Sequence, residues 1–278
     1  MPRSRERSRP LECRAGVRRA LGCLALLAAA QVAQPAEAQR VIFSPDITLD
    51  LRGLTVPDEA VVDFDSGSAE PIEFADLPLE LAVTAFEIAE SGPVAFAVDA
   101  SVRLGDIEVT PQDIVLSDNG SFDFLFKGRG NGIPRGARID AVTLIDDECA
   151  FSLDITVQLD GLIAADEDLI LCEGGLLFDG SESGIARELD LDAAHLNDDG
   201  DLLVSFDGTG EVTGITFHDE DVLLFDGGGW ELLVRGRDLD SELRGGDLEA
   251  LSIVEVVPPL FADNFESGGT GAWSLTVP

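Results

Sequence analysis

One stretch of this chain is written four times. The segment VIFSPDITLDLRGLTVPDEAVVDFDSG from Val41 returns as VAFAVDASVRLGDIEVTPQDIVLSDNG from Val94. It returns again as CAFSLDITVQLDGLIAADEDLILCEGG from Cys149, and more loosely as LLVSFDGTGEVTGITFHDEDVLLFDGG from Leu202. An aspartate anchors each copy, at Asp46, Asp99, Asp154 and Asp207, spaced 53, 55 and 53 residues apart. A period near 50 residues marks units that stack or close into a ring, since one such unit cannot cover its own apolar face.

The repeats 41–93, 94–148, 149–201 and 202–257 make one all-β domain over residues 39–257. Val, Ile, Leu and Phe fall in short runs bounded by Asp and Gly, which is the pattern of strands between tight turns. In the fourth copy LLVSFDG (202–208), DVLLFDGGG (221–229), WELLVRGRD (230–238) and LEALSIVEVV (248–257) read as four strands, with GEVTGITFHDED (210–221) as a connection. Residues 76–90 form the best helix candidate, yet they align with a strand in the other copies. Four strands per repeat predict a four-bladed β-propeller-like ring; packed antiparallel sheets and a solenoid are the alternatives. The ring is favoured by an offset. VTAFEI (83–88), IDAVTLI (139–145) and LDAAHL (191–196) each precede the first strand of the next copy, while their counterpart 248–257 comes last. In a ring that strand completes the first unit and removes an open edge.

The remaining features bound the setting. Residues 1–38 carry a basic stretch, an apolar run from Ala20 to Ala33 and the small-x-small site Ala36-Glu37-Ala38, and so read as a signal peptide. The protein is therefore expected to be secreted or periplasmic, with no transmembrane segment in the mature chain. The precursor holds 18 basic and 54 acidic residues; removing 7 Arg and 3 Glu with residues 1–38 leaves 11 against 51. That field excludes nucleic acid and anionic lipid as partners. Two cysteines survive, Cys149 and Cys172, placed symmetrically about Asp160-Gly161 as opposed positions of a hairpin. In an oxidising compartment they are expected to form a disulfide.

No site emerges with a chemistry of its own. An acid present in every copy solves a folding problem more readily than it performs one reaction. The acids at Asp58-Glu59, Asp113, Glu167-Asp168 and Glu220-Asp221 are expected to shape turns by accepting backbone hydrogen bonds. Asp166-Glu167-Asp168, Asp219-Glu220-Asp221 and Asn197-Asp198-Asp199-Gly200-Asp201 could contribute calcium ligands, although none completes an EF-hand loop. His195 and His218 are too few for a zinc cluster, and Ser205 near His195 lacks any triad signature. No catalytic, cofactor-binding or metal residue is assigned, and calcium stays open. Two functions stand: an exported acidic scaffold binding a protein, carbohydrate or surface partner, and a secreted hydrolase using carboxylates at the mouth of the ring, calcium-assisted or not.

Four units of about 50 residues, with IDAVTL and LDAAHL as strands beginning in Asp-Ala and FLFKG at 124–128, resemble hemopexin-type four-bladed propellers. Thr84-Ala85 and Glu249-Ala250 depart from that Asp-Ala pair, and the cysteines sit within one repeat. The resemblance implies a ligand-binding ring and a cation held on its axis by backbone carbonyls. Residues 258–278 include Asn264-Phe265-Glu266-Ser267-Gly268 and Ala272-Trp273-Ser274, similar to a tail found on exported proteobacterial proteins. They are expected to be a flexible C-terminal tail.

Overall fold

Short apolar runs become strands here in two grades of burial. Val94–Val98 (VAFAV) and Leu202–Ser205 (LLVS) are buried at every position, whereas Ser121–Lys127 (SFDFLFK) alternates exposed and covered residues. Fully buried runs belong in the middle of a layered stack, and alternating ones at its rim. The computed structural model describes residues 38–257 apart from 59, 65–67, 73–76, 79–80, 90–91 and 146–147. The expected signal peptide (save Ala38), Glu59 of the first acidic turn and the expected tail at 258–278 lie outside the described residues.

The strands form four antiparallel four-stranded sheets, the blades of a β-propeller. From the inside outward, blade 2 runs Val83–Ile88, Val94–Val98, Asp113–Asp118 and Ser121–Lys127. Blade 3 runs Ile139–Ile145, Glu148–Leu153, Leu169–Leu171 and Leu176–Phe178. Blade 4 runs Ala193–Leu196, Leu202–Ser205, Asp221–Phe225 and Trp230–Arg235. Blade 1 takes its inner strand from the far end of the chain: Leu248–Val257 pairs with Ala38–Pro45, followed by Val61–Phe64 and Ala69–Ile72. The offset read in the sequence is thus the closure of the ring. Segment 76–90 contributes a strand, Val83–Ile88, as its alignment with the other copies requires.

Apolar packing lies in four seams, one between each pair of neighbouring blades. Ile114 and Phe126 of blade 2 meet Ile139, Phe151 and Leu153 of blade 3, and Leu169 and Phe178 meet Val204 and Leu223 of blade 4. Val41, Phe43 and Phe64 of blade 1 meet Leu203, Val222 and Val234 of blade 4, and Ile42 and Val61 meet Phe86 and Phe96 of blade 2. The seam between blades 4 and 1 exists only in a closed ring, so neither a solenoid nor a pair of sheets fits. Each fully buried phenylalanine contributes about 2–3 kcal/mol of transfer energy across such a seam.

The connection from second to third strand in each blade is itself a β-hairpin, as at Gly210–Val212 and Ile215–Phe217. The sequence reading passes over these hairpins, whose strands are three residues long. Their tips use two-residue turns, and Asp160 and Gly161 both have positive φ (45° and 92°) at the tip in blade 3. That fold brings Cys149 and Cys172 together in the expected disulfide, with Cα atoms 5.3 Å apart.

Candidate functional site

The four inner strands pack around a common axis, and their repeat makes that axis a set of polar layers. Each strand is entered through a turn held by its anchor aspartate. Asp46, Asp99, Asp154 and Asp207 accept hydrogen bonds from the amides of Asp247, Ala82, Arg138 and Asp190 at 2.7, 3.2, 2.7 and 2.9 Å. The anchor amides donate back to the carbonyls of those same four residues. This reciprocal clasp is the folding task that a fourfold acid performs.

Two residues further on come Thr84, Asp140, Asp192 and Glu249, the Asp-Ala column of the repeat. Three residues beyond those come Glu87, Thr143, His195 and Ser252. Strand side chains alternate, so an offset of three should point to opposite faces. A β-bulge between the two layers corrects this. The ladder slips between Val83 and Ala85, between Ile139 and Val142, and beside Glu249 where Ser44 pairs Ala250 but Pro45 pairs Leu248. In blade 4 both Asp192 and Ala193 oppose Ser205. Inserting one residue returns both layers to the axis.

The farther layer is closed on itself. Glu87 accepts from Ser252 Oγ at 2.7 Å and from Thr143 Oγ1 at 3.4 Å, and pairs with His195 Nδ1 at 2.8 Å. Thr143 Oγ1 in turn accepts from the Leu196 amide, and Ser252 Oγ from the Ile88 amide. One residue from each blade joins this knot. Burial raises the Glu87 carboxyl above its ordinary range, opposed by His195 and Ser252. Ser205 is occupied elsewhere, donating to the carbonyls of Asp219 and Asp221, so the structure does not join it to His195.

The nearer layer is different, because its carboxylates face one another. Carboxylate oxygens of Asp140, Asp190 and Asp192 lie within 4.8 Å of each other. Asp140 is 3% exposed, and neither of its oxygens has a hydrogen-bond partner. Burial, then the Asp190 and Asp154 carboxylates, push Asp140 well above the usual range. Burial followed by Asp247, Asp140 and Asp190 pushes Asp192 up to about 11. Asp190 rises to about 7 by burial and then Asp166, Asp207 and Asp154. Asp247 rises to about 7 through burial, against the hydrogen bond that Asp192 gives it. Glu249 also rises to about 7 by burial, moderated by Arg138. With the anchors and with Asp58, Asp166 and Asp219, these groups make one end of the axis an acidic mouth.

Of the turn acids, Asp113, Asp168 and Asp221 do what the sequence expects of them, whereas Glu167 is buried with neither oxygen partnered. Asp168 accepts from the amides of Ala165 and Gly180, Asp221 from His218 and Gly236, and Asp113 from Thr110 and Gly128. Asn197 Oδ1 holds its own loop through the Asp199 and Asp201 amides. None of these runs brings three carboxylates together. The group that converges joins Asp190 to the Asp-Ala column, and the only signal for it was that column's place at the start of the closing strand.

No protein-family model matches the chain, and no curated protein matches it. Solved structures are similar at low identity. The extracellular domain of a one-component system from B. thetaiotaomicron shares 11% identity over 72% of this chain, TM-score 0.32; the chain spans 34% of that structure's length. A catalytically inactive virginiamycin B lyase from Staphylococcus aureus, crystallised with quinupristin, shares 10% over 71% of this chain and 72% of its own, TM-score 0.31. A protein of unknown function from Bacteroides caccae shares 10% over 72% of each chain, TM-score 0.31. Likeness of this degree carries no functional argument, and the propeller assignment rests on the strand pairing.

Proposed function

We propose that the protein is an exported binding scaffold without a catalytic centre, whose acidic mouth engages a protein partner carrying a basic surface. The observation that carries this reading is the state of the axial side chains. Ser252 donates to Glu87 inside a network shared with His195 and Thr143, and both Ser252 and Glu87 are buried, so the hydroxyl is spent on the ring and not offered to a substrate. The carboxylates a hydrolase would use include Asp140, which at 3% exposure leaves no room for a sugar or peptide beside it. What remains available is charge: Asp46, Asp58, Asp99 and Asp207 are exposed around the mouth. A dense single-sign field steers and holds an oppositely charged partner. Export from the cytoplasm is supported by the leader-like residues 1–38 and by the disulfide, which persists in oxidising compartments. Among the described residues no helix is long and apolar enough to cross a membrane. Kinship with hemopexin-type propellers belongs to the same proposal, supported by the innermost place of the Asp-Ala strand.

The test compares two triple variants of the mature chain against a basic protein probe such as lysozyme, by calorimetry at low and at physiological salt. Asp58→Asn/Asp166→Asn/Asp219→Asn removes charge at the mouth. Glu70→Gln/Asp123→Asn/Glu231→Gln removes the same charge from exposed outer strands. The mouth triple is expected to weaken binding at least tenfold more than the rim triple. Equal loss in both, or no binding of the parent chain at low salt, defeats the reading.

A further inference from the structure

We infer that the axial mouth is a divalent-cation site, built by Asp140 of the inner strand of blade 3 and by Asp190 and Asp192 just before that of blade 4, and suited to calcium. Clustering alone would say little in a chain with this many acids. Asp140 adds the independent observation. It is buried to 3% exposure, brings a carboxylate oxygen within 4.8 Å of the other two carboxylates, and has no hydrogen-bond partner for either oxygen. Asp190 Oδ1 and Asp247 Oδ1 are likewise buried without partners. Elsewhere buried aspartates are satisfied, as the two amides on Asp168 and on Asp221 illustrate, although Glu167 is also buried with neither oxygen partnered. A buried carboxylate left without donors costs several kcal/mol unless a positive charge meets it.

Among the described residues, Arg138 favours the Asp140 charge only weakly, behind burial and the neighbouring carboxylates that oppose it. Its guanidinium turns instead to Asp154, with Nε 3.8 Å from the carboxylate, an ion pair without a hydrogen bond. Oxygens bound to one calcium sit about 2.3–2.6 Å from it, so ligand pairs lie up to about 5 Å apart, which the 4.8 Å cluster meets. Three aspartate carboxylates are hard, charged ligands of the kind calcium takes, while zinc would draw on His or Cys, and neither joins the cluster. This is a side-chain site, unlike the ring of backbone carbonyls that the propeller resemblance implied. Its ligands come from two blades and its neighbour Asp247 from a third, so occupancy would tie chain segments together across the axis.

The experiment uses the mature chain stripped with EDTA, titrated with CaCl2, MgCl2 or ZnCl2, and read by calorimetry and by thermal melting. About one calcium per chain is expected, with a dissociation constant of about 10⁻⁶ to 10⁻³ M, and a melting temperature raised by about 5 °C or more at saturation. Asp140→Asn should fold at least as well as the parent in EDTA, because it replaces a buried, unpartnered carboxyl among other acids with an amide that can donate to them, yet lose the calcium response. Asp123→Asn, on the exposed outer strand of blade 2, should keep it. A parent chain unmoved by about 5 mM calcium, or an Asp140→Asn variant that responds like the parent, overturns the site. Binding of magnesium or zinc in calcium's place overturns the assignment to calcium.

Discussion

Ser252 and Glu87 stand 165 residues apart in sequence and share a 2.7 Å hydrogen bond across the axis of the ring. One belongs to the last strand of the domain and the other to the inner strand of blade 2. Their contact requires that Leu248–Val257 be seated in blade 1, so ring closure and the axial network form together.

That coupling makes the closing strand a global determinant of stability. Leu251 is 1% exposed, pairs with Phe43 and packs in the seam between blades 4 and 1. Leu251→Ala should cost about 2–5 kcal/mol. Urea unfolding followed by Trp230 fluorescence and by circular dichroism should shift as one transition. A biphasic curve, with blade 4 surviving, would contradict a cooperatively closed ring.

The anchor clasps predict a graded series. Asp154→Ala removes the acceptor for the Arg138 amide and should destabilise by about 1–3 kcal/mol. Alanine at the exposed hairpin acid Asp106 should change stability by less than about 0.5 kcal/mol. Chemical denaturation of the two variants checks the contrast.

Without metal, stability should fall as pH rises. Asp190, Asp247 and Glu249 have folded values near 7, against 3.8, 3.8 and 4.5 for the free side chains. Between those limits the folded ring binds more protons than the unfolded chain, so the stabilisation is complete below about pH 4 and is lost as pH climbs through 7. Melting in EDTA should drop by several degrees from pH 5 to pH 8, with a loss of about 1–3 kcal/mol after allowance for solvent screening. Glu249→Gln should flatten the slope. A melting temperature that rises over this interval would contradict the burial of these groups.

A glycine in the blade turn gives a steric test. Gly236 lies against the Glu220 carbonyl, and a Cβ built on it would fall 2.2 Å from that oxygen; Gly180 and Gly128 hold the same place over Glu167 and Gln112. Gly236→Ala should therefore destabilise by about 2 kcal/mol or more, well beyond a surface substitution. Thermal melting is sufficient to detect it.

Reducing the Cys149–Cys172 bridge, which spans 23 residues, should cost about 2–3 kcal/mol. Melting with and without reductant measures this. The double Cys→Ala variant should match the reduced protein, since both lose the constraint within blade 3.

Much of the architecture was legible because repetition makes each copy a control for the others. Residues 76–90 look helical alone, but alignment with IDAVTLI identifies the strand Val83–Ile88. Leu248–Val257 had no place in its own copy, and that surplus disclosed the closure. The cysteine pair was readable from its symmetry about Asp160-Gly161. The small hairpins were not, since three-residue strands such as Gly210–Val212 are too short for alternation to show. The acid cluster escaped for another reason. Asp140, Asp190 and Asp192 meet only after blades 3 and 4 pack side by side and bulges turn two of them inward, and neither step leaves a local pattern in a chain so rich in acids.

The pairing of Leu248–Val257 with Ala38–Pro45 also sets an order of events. A chain emerging N-terminus first, from a ribosome or through a translocation pore, presents blade 1 without its innermost strand until residue 257 is out. The first segment made must wait, edge uncovered, for the last, so the interval of greatest exposure to mispairing ends only when synthesis of the domain ends.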